Sequence, residues 1–181
     1  MLAADLSSNF FAIFDFPVSF DVDLSALAER YRDAQRAVHP DKYANASEAE
    51  RRLSVQMAAR INEAHGVLKD PLARGRYLLE LRGVELDDMD TKFDGAFLME
   101  QMELRERLED VKNSADPHHQ LQLITQDINL HSKNLVTQMA ELLQAESEES
   151  LQQARDATRK LQFFRRLNEE VDVLDDELSE F

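Results

Sequence analysis

Two runs with helical apolar spacing meet at Val38-His39-Pro40-Asp41-Lys42, and the chain has to turn there. A proline disfavours the α conformation in the residue before it, so Pro40 predicts a helix end at His39. Upstream, Asp23 is a good N-cap for a helix from Leu24 to about Val38. Steps of about 100° put Leu24, Leu27, Tyr31, Ala34 and Val38 on one stripe of it. Downstream, Ser47-Glu48-Ala49-Glu50 has capping-box spacing and opens a second long helix, with Leu53, Met57, Ile61, Ala64 and Leu68 as its apolar stripe. An imidazole, a carboxylate and an ammonium thus sit on an exposed connector held by two packed helices. Each can bond a partner, and the proline ring reduces the entropy lost in doing so. Proline and aspartate are ordinary turn residues; the place between two amphipathic helices is what marks this turn out.

The surrounding segments complete a small helical module. Asn9 to Phe16 is an aromatic stretch stopped by Pro17, read as a short helix whose phenylalanines cover the pair that follows. Asp70-Pro71 ends the second long helix, and Leu72 to Leu81 reads as a further short one. Arg32 and Arg36 fall on the outer face of the first long helix and lead toward the turn, with Arg30 on the flank of its stripe. Together with Lys42 they predict a small basic patch beside His39 and Asp41.

These residues resemble a J-domain, the module with which co-chaperones stimulate ATP-driven chaperones of the DnaK class. In that family the His-Pro-Asp tripeptide lies between two long antiparallel helices. The block Ile61-Asn62-Glu63-Ala64-His65-Gly66-Val67-Leu68-Lys69-Asp70-Pro71-Leu72-Ala73-Arg74 is similar to the family pattern in the matching place. His65 departs from it, since an aromatic residue is usual there. No Gly/Phe-rich segment and no zinc-binding cysteine motif follow, unlike a general-purpose DnaJ.

Gly83 to Lys92 is short, acidic and without helical period, and reads as a linker. The charge changes across it. Residues 1–82 carry 11 Lys and Arg against 12 Asp and Glu, whereas residues 83–181 carry 10 against 24. Two modules with different partners are expected: residues 1–82, a linker at 83–92, and residues 93–181. The last contains three helical segments, from about Asp94 to Val111, from Pro117 (capped by Asp116) to about Ala145, and from a capping box at Ser150-Leu151-Gln152-Gln153 to about Leu178. No repeat or β-hairpin signal interrupts them. The expected fold class is all-α, a helical hairpin with short helices followed by an antiparallel three-helix bundle.

The first bundle helix has apolar residues where a bundle has no use for them. Phe97, Gln101, Leu104, Leu108 and Val111 share the stripe that should face the core. Leu98, Met99, Met102, Glu103 and Glu106 centre on roughly the opposite side, where a helix of a small bundle should be polar. Exposed leucine and adaptable methionines edged by glutamates suit protein docking. A wide core stripe, or contact with the first module, is the structural alternative.

Ala96-Phe97-Leu98-Met99-Glu100-Gln101-Met102-Glu103-Leu104-Arg105-Glu106 resembles the corresponding helix of the HscB-type J-domain co-chaperones of iron–sulfur cluster assembly. Arg159-Lys160-Leu161-Gln162-Phe163 is similar to that family's second element, and the likeness extends from Phe10 to Phe181. It implies an adaptor whose bundle binds the cluster scaffold protein (IscU) and whose J-domain addresses a specialised DnaK-class chaperone (HscA), stimulating its ATPase. By this resemblance the chaperone contacts are His39, Pro40, Asp41, Lys42, Arg32 and Arg36, with Asp41 pairing an arginine of the chaperone. The scaffold contacts are Leu98, Met99, Met102, Glu103, Glu106 and Phe163. Met102 stands where leucine is common, a nearly volume-conserving change. A J-domain protein serving another client is the alternative.

Other classes fit poorly. A net charge of −15 argues against nucleic acid and anionic membrane as partners. No cysteine is present, which excludes disulfides and thiolate metal sites and fits a reducing, cytoplasmic setting. Asp5 interrupts the first apolar residues and no basic stretch precedes them, so no signal peptide is expected. No run approaches the roughly 18 apolar residues of a membrane span. A metal-dependent enzyme would have to use His118, His119 and His131, but none forms an i, i+4 ligand pair. Without a glycine-rich phosphate loop the chain is not expected to bind ATP. No catalytic residue, metal, cofactor or small-molecule substrate is expected.

Overall fold

The computed structural model describes residues 8–43, 46–87, 93–145 and 147–179. Every regular element among them is helical. The chain divides into two compact units, Met1–Gly83 and Val84–Phe181. Of the predicted linker, residues 88–92 lie outside the described residues.

The first unit is built on two helices, α2 (Leu24–Val38) and α3 (Glu48–Lys69). Asp23 caps α2 by accepting from the Ser25 and Ala26 amides, and Ser47 and Glu50 form a reciprocal capping box on α3. The Tyr31 hydroxyl and the Gln35 amide both donate to the Asn62 side-chain oxygen, and the Tyr31 ring stacks on His65 with centroids 4.0 Å apart. These pairings run the two helices antiparallel. They also show what His65 does in place of an ordinary aromatic residue: its ring still stacks, and burial, with Lys69 nearby, lowers its pKa from the ordinary value.

The short α1 (Phe10–Ile13) and α4 (Pro71–Leu81) cover one side of the hairpin. Phe10, Phe11, Phe14 and Phe20 are buried with Leu27, Ile61, Leu68 and Leu78. Arg74 is buried too; it donates to the Leu68 carbonyl and lies over the Phe20 ring. Gly83 closes α4 with a φ of +73°, a conformation that favours glycine. Two stripe positions depart from expectation. Leu24 and Leu53 are exposed, and Ser54 takes the buried place beside Leu53 with its hydroxyl satisfied by the Arg51 carbonyl.

The second unit is an up-down-up arrangement of α5 (Gly95–Glu109), α6 (Pro117–Ala145) and α7 (Glu148–Ser179). Ion pairs fix the directions. Glu100 meets His131 and Arg107 meets Asp127, so α5 and α6 are antiparallel; Arg105 meets Glu170 and Lys112 meets Glu177, so α5 runs parallel to α7. Phe97, Leu104 and Leu108 of α5 enter a core with Leu121, Ile124 and Ile128 of α6 and Phe164, Leu167, Val171 and Leu174 of α7. Val111 joins this core from a 3-10 turn after α5, and Gln101 is only half-buried. The start of α7 also differs from expectation. Ser147 caps it by accepting from the Ser150 amide, so Ser150 lies inside the helix, its hydroxyl returned to the Ser147 carbonyl.

Candidate functional site: a polar turn and an apolar helix face

The turn at the end of the first hairpin is held from both sides. Val38, the last residue of α2, is buried, and His39 takes the extended conformation (φ −58°, ψ 134°) that a following proline demands. Pro40–Tyr43 then form a single 3-10 turn, closed by the Lys42 amide donating to the His39 carbonyl at 3.0 Å. The Asp41 amide donates to His39 Nδ1 at 3.3 Å. The Asp41 carboxylate lies 3.4 Å from the same Nδ1, and its side chain is 91% exposed. That exposure leaves the carboxylate open to a partner. The turn therefore orients an imidazole, a carboxylate and, from Lys42, an ammonium into solvent.

The three basic residues placed beside the turn are all exposed. Arg36 pairs with Asp33 at 3.2 Å, which neutralises part of the expected patch. Ser47 donates to Glu50 through both its amide and its hydroxyl, and these bonds lower the Glu50 pKa. That carboxylate is thereby committed to its own helix start and does not compete for the turn's partner.

The second candidate surface is the outer side of α5. Asp94 caps the helix, accepting from the Phe97 amide at 2.9 Å, while its other oxygen takes a 2.6 Å bond from Lys160 on α7. The Lys160 bond, and secondarily the Phe97 amide, hold the Asp94 pKa below its usual value. His131 stacks on Phe164 and holds Glu100 at 2.7 Å, and Arg107–Asp127 at 2.8 Å secures the same flank; Arg105–Glu170 at 3.5 Å secures the other. With its core side buried and both flanks bracketed, α5 presents Leu98 (42% exposed), Met99 (73%) and Met102 (62%) outward, and Glu103 and Glu106 are exposed with them. The wide-core alternative does not hold for these three side chains.

Phe163 differs from the other residues of its predicted group. It is half-buried, packed edge-on against Phe97 (centroids 5.6 Å apart) and Phe164 (5.4 Å) at the margin of the core. Arg105, two turns beyond Leu98 on the same side of α5, lies over its ring. The anchoring residues Asp94, Glu100, His131 and Lys160 were not picked out as a group by sequence reasoning. They line a cleft of about 480 Å³ beside the start of α5, floored by Phe97, Leu135 and Phe164. His131, weighed above as a metal ligand, is committed to Glu100. Among the described residues no group of three His, Asp or Glu side chains could hold a metal ion, and no helix is long and apolar enough to cross a membrane.

Known proteins match both units. A family model described as the HSCB C-terminal oligomerisation domain matches residues 93–172. The co-chaperone protein HscB homolog of Shewanella baltica (strain OS195) is 44% identical over 171 residues, covering 94% of this chain and 98% of its own. The corresponding protein of Shewanella denitrificans is also 44% identical over 171 residues, with the same coverage of both chains. Among solved structures, chaperone HscB from Vibrio cholerae aligns with a TM-score of 0.84 at 40% identity, covering 94% of this chain and 99% of its own. Human co-chaperone protein HscB aligns with a TM-score of 0.86 at 28% identity, covering 97% and 86%.

Proposed function

The chain belongs to the HscB family of co-chaperones, and from that premise we propose that it couples an iron–sulfur cluster scaffold protein (IscU) to a specialised DnaK-class chaperone (HscA) in the cytoplasm. The outer side of α5 binds the scaffold. Leu98, Met99 and Met102 supply the apolar centre, Glu103 and Glu106 its acidic edge, and Phe163 a rim contact. The turn addresses the chaperone: Asp41 pairs with a cation there, His39 and Pro40 fix the turn's shape, and Lys42, Arg32 and Arg36 attract an acidic surface. Hydrolysis of ATP takes place on the chaperone, so this chain is an adaptor and not itself an enzyme.

The observation that carries the reading is the exposure of Leu98, Met99 and Met102 on a helix whose opposite side is fully used by the core. Apolar residues at the centre of an interface commonly carry most of its energy. The test is a reconstitution of chain, scaffold and chaperone, measuring ATP hydrolysis in a single turnover. Chain and scaffold together should stimulate more than the sum of their separate effects. Additive stimulation would mean that the two surfaces serve unrelated partners.

A further inference from the structure

We propose that Met99 and Met102 form a peroxide-sensitive switch on the docking side of α5, an inference that rests on the scaffold-docking reading above. The chain has no cysteine, so thioethers are the only sulfur it can offer an oxidant. Four of its six methionines stand among the described residues, and they fall into two classes. Met57 and Met139 are buried in the cores of their units, whereas Met99 and Met102 are the exposed pair. The exposed pair is one helical turn apart, at i and i+3, so both sulfurs lie on one face. Among the described residues no hydrogen bond or ring contact engages either side chain, and both remain well exposed.

The chemistry is a two-electron oxygen transfer. Hydrogen peroxide gives one oxygen atom to each thioether: the O–O bond breaks, an S–O bond forms, and water leaves carrying both hydrogens. The sulfur is oxidised and the peroxide reduced, with no further reactant. The product is a polar, chiral sulfoxide where the docking face had a flexible apolar side chain, and it is reversible by the methionine sulfoxide reductases. A sulfoxide oxygen buried against an apolar partner without a hydrogen bond is unfavourable. Oxidation therefore disables the apolar centre of the face while leaving the cores and the His39–Lys42 turn intact.

The test uses the full chain treated with graded hydrogen peroxide. Peptide mass mapping should show sulfoxide at Met99 and Met102 well before Met57 and Met139. Affinity for the scaffold should fall about tenfold or more over the same range, and treatment with both reductases should restore it. Stimulation of the chaperone without scaffold should not change. A Met99→Leu, Met102→Leu double variant keeps an apolar face without an oxidisable sulfur. Whatever its starting affinity, peroxide should leave that affinity where it was; a fall equal to the wild type's would trace the loss to other residues and overturn the proposal. Binding that survives complete oxidation of both sulfurs overturns the switch alone. An untreated chain that does not bind scaffold overturns the docking reading, and the switch with it.

Discussion

The His39–Lys42 turn and the outer side of α5 are both exposed, but they are exposed for opposite reasons. The turn is polar, and solvent is its natural surrounding; what is unusual is how tightly it is shaped, by a buried Val38 before it, a proline within it and a 3-10 closure across it. The α5 side is held no less firmly, by its cap, its core contacts and ion pairs on both flanks, yet its side chains are apolar. If the turn addresses the chaperone as proposed, its specificity lies in the placement of a few charge-bearing atoms, so a change of one atom should matter. On α5 it lies in summed apolar contact, so the loss should grow with each side chain removed. On the proposed reading, a trigger and a grip are built from different chemistry on separate units of one chain.

The sharpest test of that contrast is an isosteric change in the turn. Asp41→Asn keeps the shape and removes the charge, and it should abolish stimulation of the chaperone's ATPase while leaving the melting temperature and scaffold affinity unchanged. Losing one partner of a charge-assisted interface contact costs about 2–5 kcal/mol. Single-turnover hydrolysis that remains stimulated would make the turn an ordinary connector. Next in size is the truncation of Leu98, Met99 and Met102 together to alanine. Were these side chains core, each would cost about 2–5 kcal/mol of stability. Being exposed, they should leave thermal melting nearly unchanged while calorimetric titration shows scaffold affinity reduced about a hundredfold or more, the loss of one or two hot spots. A large drop in melting temperature with unchanged affinity would sink the docking reading.

Much of this was legible in the sequence, for identifiable reasons. Prolines and short polar caps act locally, so the bounds of α2 and α3 followed from Asp23, Pro40, Ser47 and Asp70-Pro71; α4 itself starts one residue before the expected Leu72, with Pro71 as its first residue and Asp70 as its cap. The α5 surface was legible because it breaks a rule, apolar residues standing opposite an already sufficient core stripe. What failed depended on neighbours that periodicity does not see. A helical wheel treats Leu24 and Leu53 like any other stripe position, but both are exposed while Leu27, one turn on, and Ser54, one residue on, are buried, a difference set by tertiary contacts. Capping-box spacing favoured Ser150, where Gln153 follows at the third position, over Ser147, which caps without a glutamate or glutamine there. The pairing of Glu100 with His131 joins two helices and has no local signature.

Phe163 lies between the two classes and should behave accordingly. Its ring is half-buried against Phe97 and Phe164, so Phe163→Ala removes packing as well as docking surface. The cost in stability should be measurable but below the roughly 3–5 kcal/mol of a fully buried phenylalanine. Scaffold affinity should fall less than for the α5 triple variant. A melting temperature identical to wild type would show that its edge-on contacts add nothing to the core.

The smallest expected effect concerns what holds the α5 face in place. Asparagine caps a helix about as well as aspartate, so Asp94→Asn removes the charge that meets Lys160 and keeps the cap on Phe97. Because the folded protein lowers the Asp94 pKa, mainly through Lys160, the stabilisation from this charge is fully present above the ordinary value of 3.8 and is lost as pH falls through the lower folded value. At neutral pH the variant should melt slightly below wild type. The gap should close in acid well below pH 3.8, where wild-type Asp94 also becomes neutral, and it should narrow in high salt, since the pair is exposed and screened. Melting curves of both proteins across pH, at low and high salt, decide this. A gap that persists in strong acid would assign the effect to the cap and not to the charge. Scaffold affinity on the same variant then asks whether pinning the start of α5 matters to the grip, while ATPase stimulation through the turn should stay at the wild-type level.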